Sequence, residues 1–151
     1  MSNEQGVSGL NQLEKFFDDI NKKLPPLPEN AKKVIVNITP WIILITSIIL
    51  IPAVLAVFGL GAILGSVFVY SGVTAGTVYY ITWALTLVTF IMEIVAIKGL
   101  FDRKMSAWRL VFYAALINAV SNLISLSIAS FIISTAISLY LLFQIRSYYK
   151  D

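Results

Sequence analysis

Charged residues are missing from two long stretches of this sequence. No Asp, Glu, Lys or Arg occurs from Val34 through Met92 or from Leu110 through Ile145. As continuous helix the first run would measure about 88 Å and the second about 54 Å, whereas crossing a hydrocarbon core of about 30 Å takes about 20 residues. Each run is therefore too long for one crossing, and each predicts a pair of membrane-spanning helices joined by a turn.

Small and turn-forming residues indicate where each pair folds back. The first pair is predicted to return within the Gly-rich stretch "GLGAILGSVFVYSGVTAG", residues 59–76, and the second between Ser125 and Ser130. The predicted crossings are near 36–58, 78–98, 106–126 and 128–147. The fold class that follows is all-α: an integral membrane four-helix bundle of two hairpins, occupying residues 34–151.

Residues 1–33 follow a different pattern. Apolar side chains recur there at spacings of three and four residues and predict an amphipathic helix with one apolar stripe: Leu10, Leu13, Phe17, Ile20 and Leu24. The charged residues, Glu14 and Asp18 among them, are predicted on the other face. Such a stripe can bind a membrane surface, dock against the protein's own cytoplasmic side or mediate self-association. The prolines of "LPPLPEN" end the helix and form a stiff linker, with recognition by an aromatic groove of another protein as the alternative.

The basic residues all lie outside the apolar runs. The loop between the second and third crossings carries Lys98, Arg103, Lys104 and Arg109. With four crossings every Lys and Arg falls on one side, and the positive-inside rule then predicts a plasma membrane protein whose N-terminus and C-terminus are both cytoplasmic. A fifth crossing would move the basic loop to the other side, so four are predicted. Trp108 is expected beside Arg109 at the level of the lipid headgroups.

Composition narrows the classes of function. The chain has 58% apolar and 13% charged residues, against about 45–50% and about 25% in ordinary soluble domains. The net charge of +3 comes from a few residues whose placement fits membrane topology, so no nucleic-acid partner is expected. Because the chain has no Cys and no His, no disulfide, no thiolate or imidazole metal site and no cofactor is predicted. No nucleophile stands with a base, so the protein is predicted not to be an enzyme.

Three polar residues within the predicted crossings form a candidate intramembrane site: Glu93, Asn118 and Asn122. Glu93 is either a proton or cation site, or a structural carboxylate paired with Lys98 or Arg109. The structural interpretation is preferred, because Glu93 lies only about 7.5 Å from the predicted end of its helix. Asn118 and Asn122 are one turn apart and share a face. With serines of the fourth crossing they either pack helices together or line a solute path in an oligomer.

At "LPPLPENAKKVIVNITPW" and "KGLFDRKMSAWRLVFYAALINAVSNLIS" the chain resembles a loose group of small uncharacterised bacterial multi-pass membrane proteins. The shared pattern consists of prolines before the first crossing and a basic loop with Trp and Arg at the start of the third. The resemblance implies the membrane topology and brings with it no catalytic, cofactor-binding or metal-binding residue.

These patterns favour a non-enzymatic multi-pass membrane protein with a structural, accessory or assembly role that acts through helix–helix interactions. The alternative is a small oligomeric transporter or channel with Glu93 as its proton or cation site. The expected partners are the lipid bilayer and either further copies of the chain or other membrane proteins. The two hypotheses differ in whether Glu93 and Asn118 face a cavity or a packed neighbour.

Overall fold

The computed structural model describes the backbone of residues 2–70 and 73–150, with side chains at 9–56, 59, 60, 66, 70 and 76–150. Five α-helices make up almost all of this described chain: α1 (Ser2–Lys22), α2 (Glu29–Tyr70), α3 (Val73–Phe101), α4 (Met105–Ile124) and α5 (Ile128–Ile145). A short 3₁₀ helix, Arg146–Tyr148, follows α5. The all-α class predicted from the sequence is confirmed.

Four of these helices are long and apolar enough to cross a membrane, so the protein is a multi-pass membrane protein. The spans found among the described residues are Glu29–Ala56, Gly76–Phe101, Met105–Ile124 and Ile128–Tyr148. Large apolar side chains on them face outward, as with Ile49, which is 68% exposed, and Val95, which is 62% exposed. Outward apolar surface is expected where lipid is the surrounding solvent. The four spans form the predicted bundle, and α1 is added to it.

Helix α2 continues through the first part of the Gly-rich stretch. Residues 59–70 are helical. Helices α2 and α3 are separated at residues 71 and 72, which fall within the predicted stretch 59–76 but lie outside the described residues. The 42 residues of α2 amount to about 63 Å of helix, about twice the thickness of a hydrocarbon core. Glycine weakens helices in water but is frequent in membrane-spanning ones, so α2 can include the first glycines of this stretch.

The connection between α3 and α4 is tight because two small residues meet beside it. A Cβ atom added to Gly99 would lie only 2.6 Å from the Cβ of Ala107. The two helices can approach this closely only because residue 99 has no side chain. The second connection, between α4 and α5, occupies residues 125–127 and confirms the return predicted between Ser125 and Ser130.

The basic loop, the first turns of α2 and the last described residues lie together at one end of the bundle. The backbone N–H of Lys150 donates to the carbonyl of Arg103 at 3.0 Å, and Lys104 pairs with Lys150 in a short backbone bridge. The Arg103 guanidinium donates to the amide oxygen of Asn37 at 3.0 Å. Lys98 is exposed near the end of α3. The basic loop and the basic residue that follows α5 therefore share one end of the structure.

An aromatic core lies at this same end, between α4 and α5. Trp108 is fully buried; its ring stacks on Phe112 with 5.6 Å between centroids and meets Phe143 edge-on at 5.2 Å. The indole N–H donates to the carbonyl of Leu142 at 2.9 Å, and the Arg146 guanidinium lies 5.3 Å from the ring centroid. Protein atoms cover the ring and a protein carbonyl accepts from its N–H, while the position of Trp108 at the level of the lipid headgroups stays a prediction.

Helix α1 packs on α4 and α5 partly through residues that the sequence pattern assigns to water. Glu14 is only 3% exposed, and the ring of Phe17 lies 6.0 Å from that of Phe112 and 6.3 Å from that of Phe143. The rest of the apolar stripe is between 40% and 42% exposed: Leu10, Leu13, Ile20 and Leu24. Of the three alternatives for α1, docking against the protein's own bundle is the one present in this structure.

Candidate functional site

A cleft between α2, α3, α4 and α5 brings the three candidate polar residues together. Its volume is about 490 Å³, within the range of about 300–1,000 Å³ that is usual for small-molecule sites. One carboxylate, two amides and four hydroxyls line it: Glu93, Asn118, Asn122, Thr39, Ser134, Thr135 and Ser138. Glu93 and Asn118, whose surroundings distinguish the two hypotheses of function, thus both border a cavity.

Helix geometry explains why these groups converge. Asn118 and Asn122 are one turn apart on α4, and Ser134 and Ser138 are one turn apart on α5, so each helix presents a polar strip along one face. The α4–α5 hairpin sets the two strips opposite each other, and Glu93 completes the polar lining from α3. The remaining walls are apolar and come mainly from α2 and α5: Ile35, Ile42, Ile43, Val111, Ala115, Leu141, Leu142 and Ile145.

The carboxylate of Glu93 is partly buried and has no basic partner. Within the part of the chain that the structure describes, no Lys or Arg nitrogen lies within 4.0 Å of it. Arg109, one of the two partners predicted for it, is paired instead with Glu14, at 3.1 Å between Nε and Oε1. The other predicted partner, Lys98, is exposed. The preferred interpretation of Glu93 as half of an ion pair between helices is therefore wrong for this structure.

The two amides differ in their bonding. The Asn122 amide donates to the hydroxyl of Ser134 at 3.4 Å, across α4 and α5, while the Ser134 hydroxyl donates to the carbonyl of Ser130. Asn118 makes no hydrogen bond among the described residues and is exposed to the cleft. The hydroxyl of Thr135 is buried without a hydrogen-bond partner. Asn122 thus both fastens two helices and lines the cleft, whereas Asn118 and Thr135 keep free polar atoms there.

The cleft offers one negative charge and several neutral oxygen atoms within apolar walls. Carboxylate, amide and hydroxyl oxygens are suitable ligands for hard cations and acceptors for a protonated amine. An ionised carboxylate without a basic neighbour is unfavourable inside a membrane. On insertion scales, the free energy of placing an acidic side chain at the centre of a membrane helix is about 2.5–3.5 kcal/mol. The arrangement is therefore suited to holding a proton or a small cation at Glu93.

A second charged cluster, which sequence reasoning missed, fixes α1 to the bundle. The carboxylate of Glu14 lies 3.1 Å from the Arg109 guanidinium and 3.2 Å from that of Arg146, and accepts a hydrogen bond from the Tyr113 hydroxyl at 3.4 Å. Asp18 lies 3.4 Å from Arg146. One feature of the sequence could have indicated this cluster. Arg109 and Arg146 each lie at the end of an apolar run, where a buried acidic side chain can neutralise them.

Gln144 was also missed, because it stands among apolar residues near the end of α5. Its side chain is buried, accepts from the backbone N–H of Leu27 at 3.1 Å and donates toward Asn21 at 3.4 Å and the Pro25 carbonyl at 3.5 Å. The Tyr140 hydroxyl donates to the same Pro25 carbonyl at 2.8 Å. The proline-rich linker is therefore bonded along α5 rather than left free.

Comparison of the chain with protein-family models, with curated proteins and with solved structures gave no match. Evidence for a function therefore comes from the cleft and its surroundings. Two features matter most for it: the carboxylate of Glu93 without a basic neighbour, and the polar strips of α4 and α5 that face it across about 490 Å³ of space.

Proposed function

We propose that this membrane protein is a small, non-enzymatic transporter or channel subunit in which Glu93 holds a proton or a small cation within the membrane. The observation that carries the proposal is that Glu93 shares one cleft with Asn118 and Asn122 and has no ion pair among the described residues. Ionisable residues inside the membrane mark ion and proton pathways more often than other positions do. The free oxygen atoms of Asn118 and Thr135 extend the same path.

The cleft needs a second protein surface to become a closed path. Asn118 is exposed and Ile42, on the opposite wall, is 56% exposed, so one chain leaves the polar lining open at its side. Polar groups facing hydrocarbon are unfavourable, and another protein surface over the opening would remove that cost. We therefore include self-assembly, with one copy covering the cleft of the next, in the proposal.

Flux through reconstituted vesicles tests the role of Glu93. Purified protein in phosphatidylcholine vesicles is expected to conduct protons or a small cation under an imposed gradient. A pH-sensitive dye trapped inside follows protons, and trapped dyes selective for Na⁺ or K⁺ follow those cations. Glu93→Gln keeps the shape of the side chain and removes its charge, and should abolish most of the flux. Asp102→Asn is the matched control, because it removes an exposed carboxylate from the loop outside the cleft and should leave flux unchanged.

Two results would overturn this proposal. One is the absence of proton, Na⁺ and K⁺ flux above that of protein-free vesicles. The other is a flux that Glu93→Gln leaves intact, since the carboxylate would then play no part in it. Binding of both variants to vesicles, checked by flotation, separates a lost activity from failed reconstitution.

A structural or accessory role is the second candidate, and the bond between Asn122 and Ser134 supports it. That bond joins α4 to α5 at 3.4 Å, as expected of polar groups that hold membrane helices together. Under this role the protein acts through contacts with other membrane proteins. Crosslinking in native membranes followed by mass spectrometry should then identify a different protein as the main partner, whereas a transporter assembled from identical subunits should give mainly crosslinks between copies.

We further propose the plasma membrane as the location, with both chain ends in the cytoplasm. The basic loop, Asn37 and Lys150 lie together at one end of the bundle, and cytoplasmic loops are the ones enriched in Lys and Arg. The chain has no cysteine, so a single Lys104→Cys variant can be labelled specifically. Labelling of intact cells by a membrane-impermeant maleimide would contradict this orientation.

A further inference from the structure

Helix α1 and the linker that follows it lie alongside a membrane span rather than beyond its end. Phe17 contacts Phe143, and the Pro25 carbonyl accepts a hydrogen bond from Tyr140. Tyr140 precedes Tyr148, where the α5 span ends, by eight residues, or about 12 Å of helix. The deepest contact of this segment is therefore well within the length that α5 spends in the membrane.

The backbone N–H groups of the linker do not need water as a hydrogen-bond partner. Pro25, Pro26 and Pro28 have no N–H group, and the remaining N–H of Leu27 donates to Gln144 at 3.1 Å. The preceding N–H groups, at residues 23 and 24, donate to carbonyls one turn back, each at 3.1 Å. Every backbone donor from residue 23 to 28 is thus absent or bonded. In hydrocarbon each such donor must be satisfied, whereas water would satisfy them without help.

The side chains of α1 show the same preference. Its exposed apolar residues are between 40% and 59% exposed: Leu10, Leu13, Phe16, Ile20 and Leu24. An apolar groove of about 340 Å³ runs between the end of this stripe and the outer face of α5, with Phe131, Ile132 and Leu139 on its far wall. The far wall belongs to a membrane span, so the groove opens toward lipid.

The charges of α1 do not oppose this placement. Glu14 is neutralised by Arg109 and Arg146, and Lys22 lies 2.7 Å from Asp18 and 3.3 Å from Asp19. Paired charges are much less costly near hydrocarbon than isolated ones. Lys15 on α1 and Lys23 just after it are exposed, and their long side chains can reach the headgroups.

We propose that α1 and the proline-rich linker are embedded in the membrane leaflet nearest the chain ends, and that lipid acyl chains cover the apolar stripe and fill the groove against α5. Leu and Phe burial supplies the attraction, while the bonds from Gln144 and Tyr140 hold the linker at its depth. This inference is independent of the role proposed for Glu93, because α1 does not line that cleft.

Site-specific fluorescence quenching tests it on the full-length chain. Because the chain has no cysteine, Ile20→Cys, Lys104→Cys and Ile133→Cys can each be labelled with bimane and placed in phosphatidylcholine vesicles. Brominated phosphatidylcholine quenches a label among acyl chains, and iodide quenches a label in water. Ile133, 60% exposed on the α5 span, is the lipid reference, and Lys104, exposed in the basic loop between α3 and α4, is the aqueous one. Leu13→Cys, on the same stripe, replaces Ile20→Cys if that variant fails to fold.

The label at residue 20 is expected to lose as much intensity to brominated lipid as the label at residue 133, and several-fold more than the label at residue 104. It should be protected from iodide. Quenching by iodide without quenching by brominated lipid would overturn the proposal, since the stripe would then face water. Protection from both quenchers would overturn it as well, because a protein surface, such as a second copy of the chain, would then cover the stripe.

Discussion

Replacing Gly99 with alanine measures how closely α3 and α4 approach. The new Cβ would lie 2.6 Å from the Cβ of Ala107 and 3.7 Å from its Cα. Carbon atoms pack best at about 3.5–4.0 Å, so the first distance is short by about 1 Å. The opposing atom is fixed to the backbone of α4 and cannot rotate away. The helices must therefore separate, or the turn between them must change shape.

The expected cost follows from two opposing effects. Forcing an extra carbon into a packed contact costs about 1–3 kcal/mol, while alanine gains back up to about 1 kcal/mol over glycine within a helix. Gly99→Ala should therefore lower the free energy of unfolding by up to about 2 kcal/mol. Ala107→Gly removes the opposing Cβ, so the double variant should recover the cost of the overlap, and the coupling energy between the two positions should be about 1–3 kcal/mol.

Unfolding by SDS in mixed micelles, followed by tryptophan fluorescence, gives these free energies, because the buried ring of Trp108 reports the packing of α4 and α5. Gly59→Ala is the matched control: nothing lies within 4 Å of a Cβ placed there, so that variant should be unchanged or more stable. If Gly99→Ala proves more stable than the parent, or if the two substitutions are additive, the inferred close approach is refuted.

Two further predictions concern the end of the bundle at which α1 docks. Glu14→Ala leaves the Arg109 guanidinium without its acid and Arg146 with Asp18 alone. The variant should lose about 1–3 kcal/mol of stability, less than for a fully buried pair because both guanidiniums are partly exposed. Faster protease cleavage within α1 would report its release. Burial raises the pKa of the Tyr149 phenol, since folding favours its neutral form. Its contribution to stability is therefore complete below about pH 10, the ordinary value, and is lost as the pH rises through the raised pKa. Above that pH, the thermal stability of the parent should fall more than the thermal stability of Tyr149→Phe.

Each of these predictions has a control within the chain. Asp19→Ala removes an exposed acid from α1 and should leave cleavage unchanged; equal cleavage of the Glu14 and Asp19 variants would show that the cluster does not hold α1. For the phenol, Tyr70 is 92% exposed, so Tyr70→Phe should keep the parent's dependence on pH. A Tyr149→Phe protein with the same alkaline loss as the parent would contradict the assigned cause.

The sequence was sufficient for the helices and insufficient for their contacts. Runs without charge predict spans reliably because a single charged side chain in hydrocarbon is costly, and the four apolar helices follow from that alone. Within the predicted return at residues 59–76, glycine could not show how far α2 extends, because glycine is frequent in membrane-spanning helices. Glu93, Asn118 and Asn122 could be chosen from the sequence because polar groups are rare in such runs, and all three line one cleft.

The position of Glu14 could not be predicted, because helix periodicity assigns charged residues to water by default. The acid is buried only because Arg109 and Arg146 reach it from helices far along the chain. The contacts of Trp108 could not be predicted either, because the carbonyl of Leu142 that accepts from its indole N–H lies on another helix, 34 positions along the chain.

The partners of α1 on α5 are made long after α1 itself. Glu14 and Arg146 are 132 positions apart, so at about 5–20 residues per second a ribosome takes about 7–26 s to synthesise the stretch between them. Until then Glu14 has no Arg146 to bind and Asn21 has no Gln144. Docking of α1 therefore waits for α5, and synthesis of α5 is the event that allows the two helices to join.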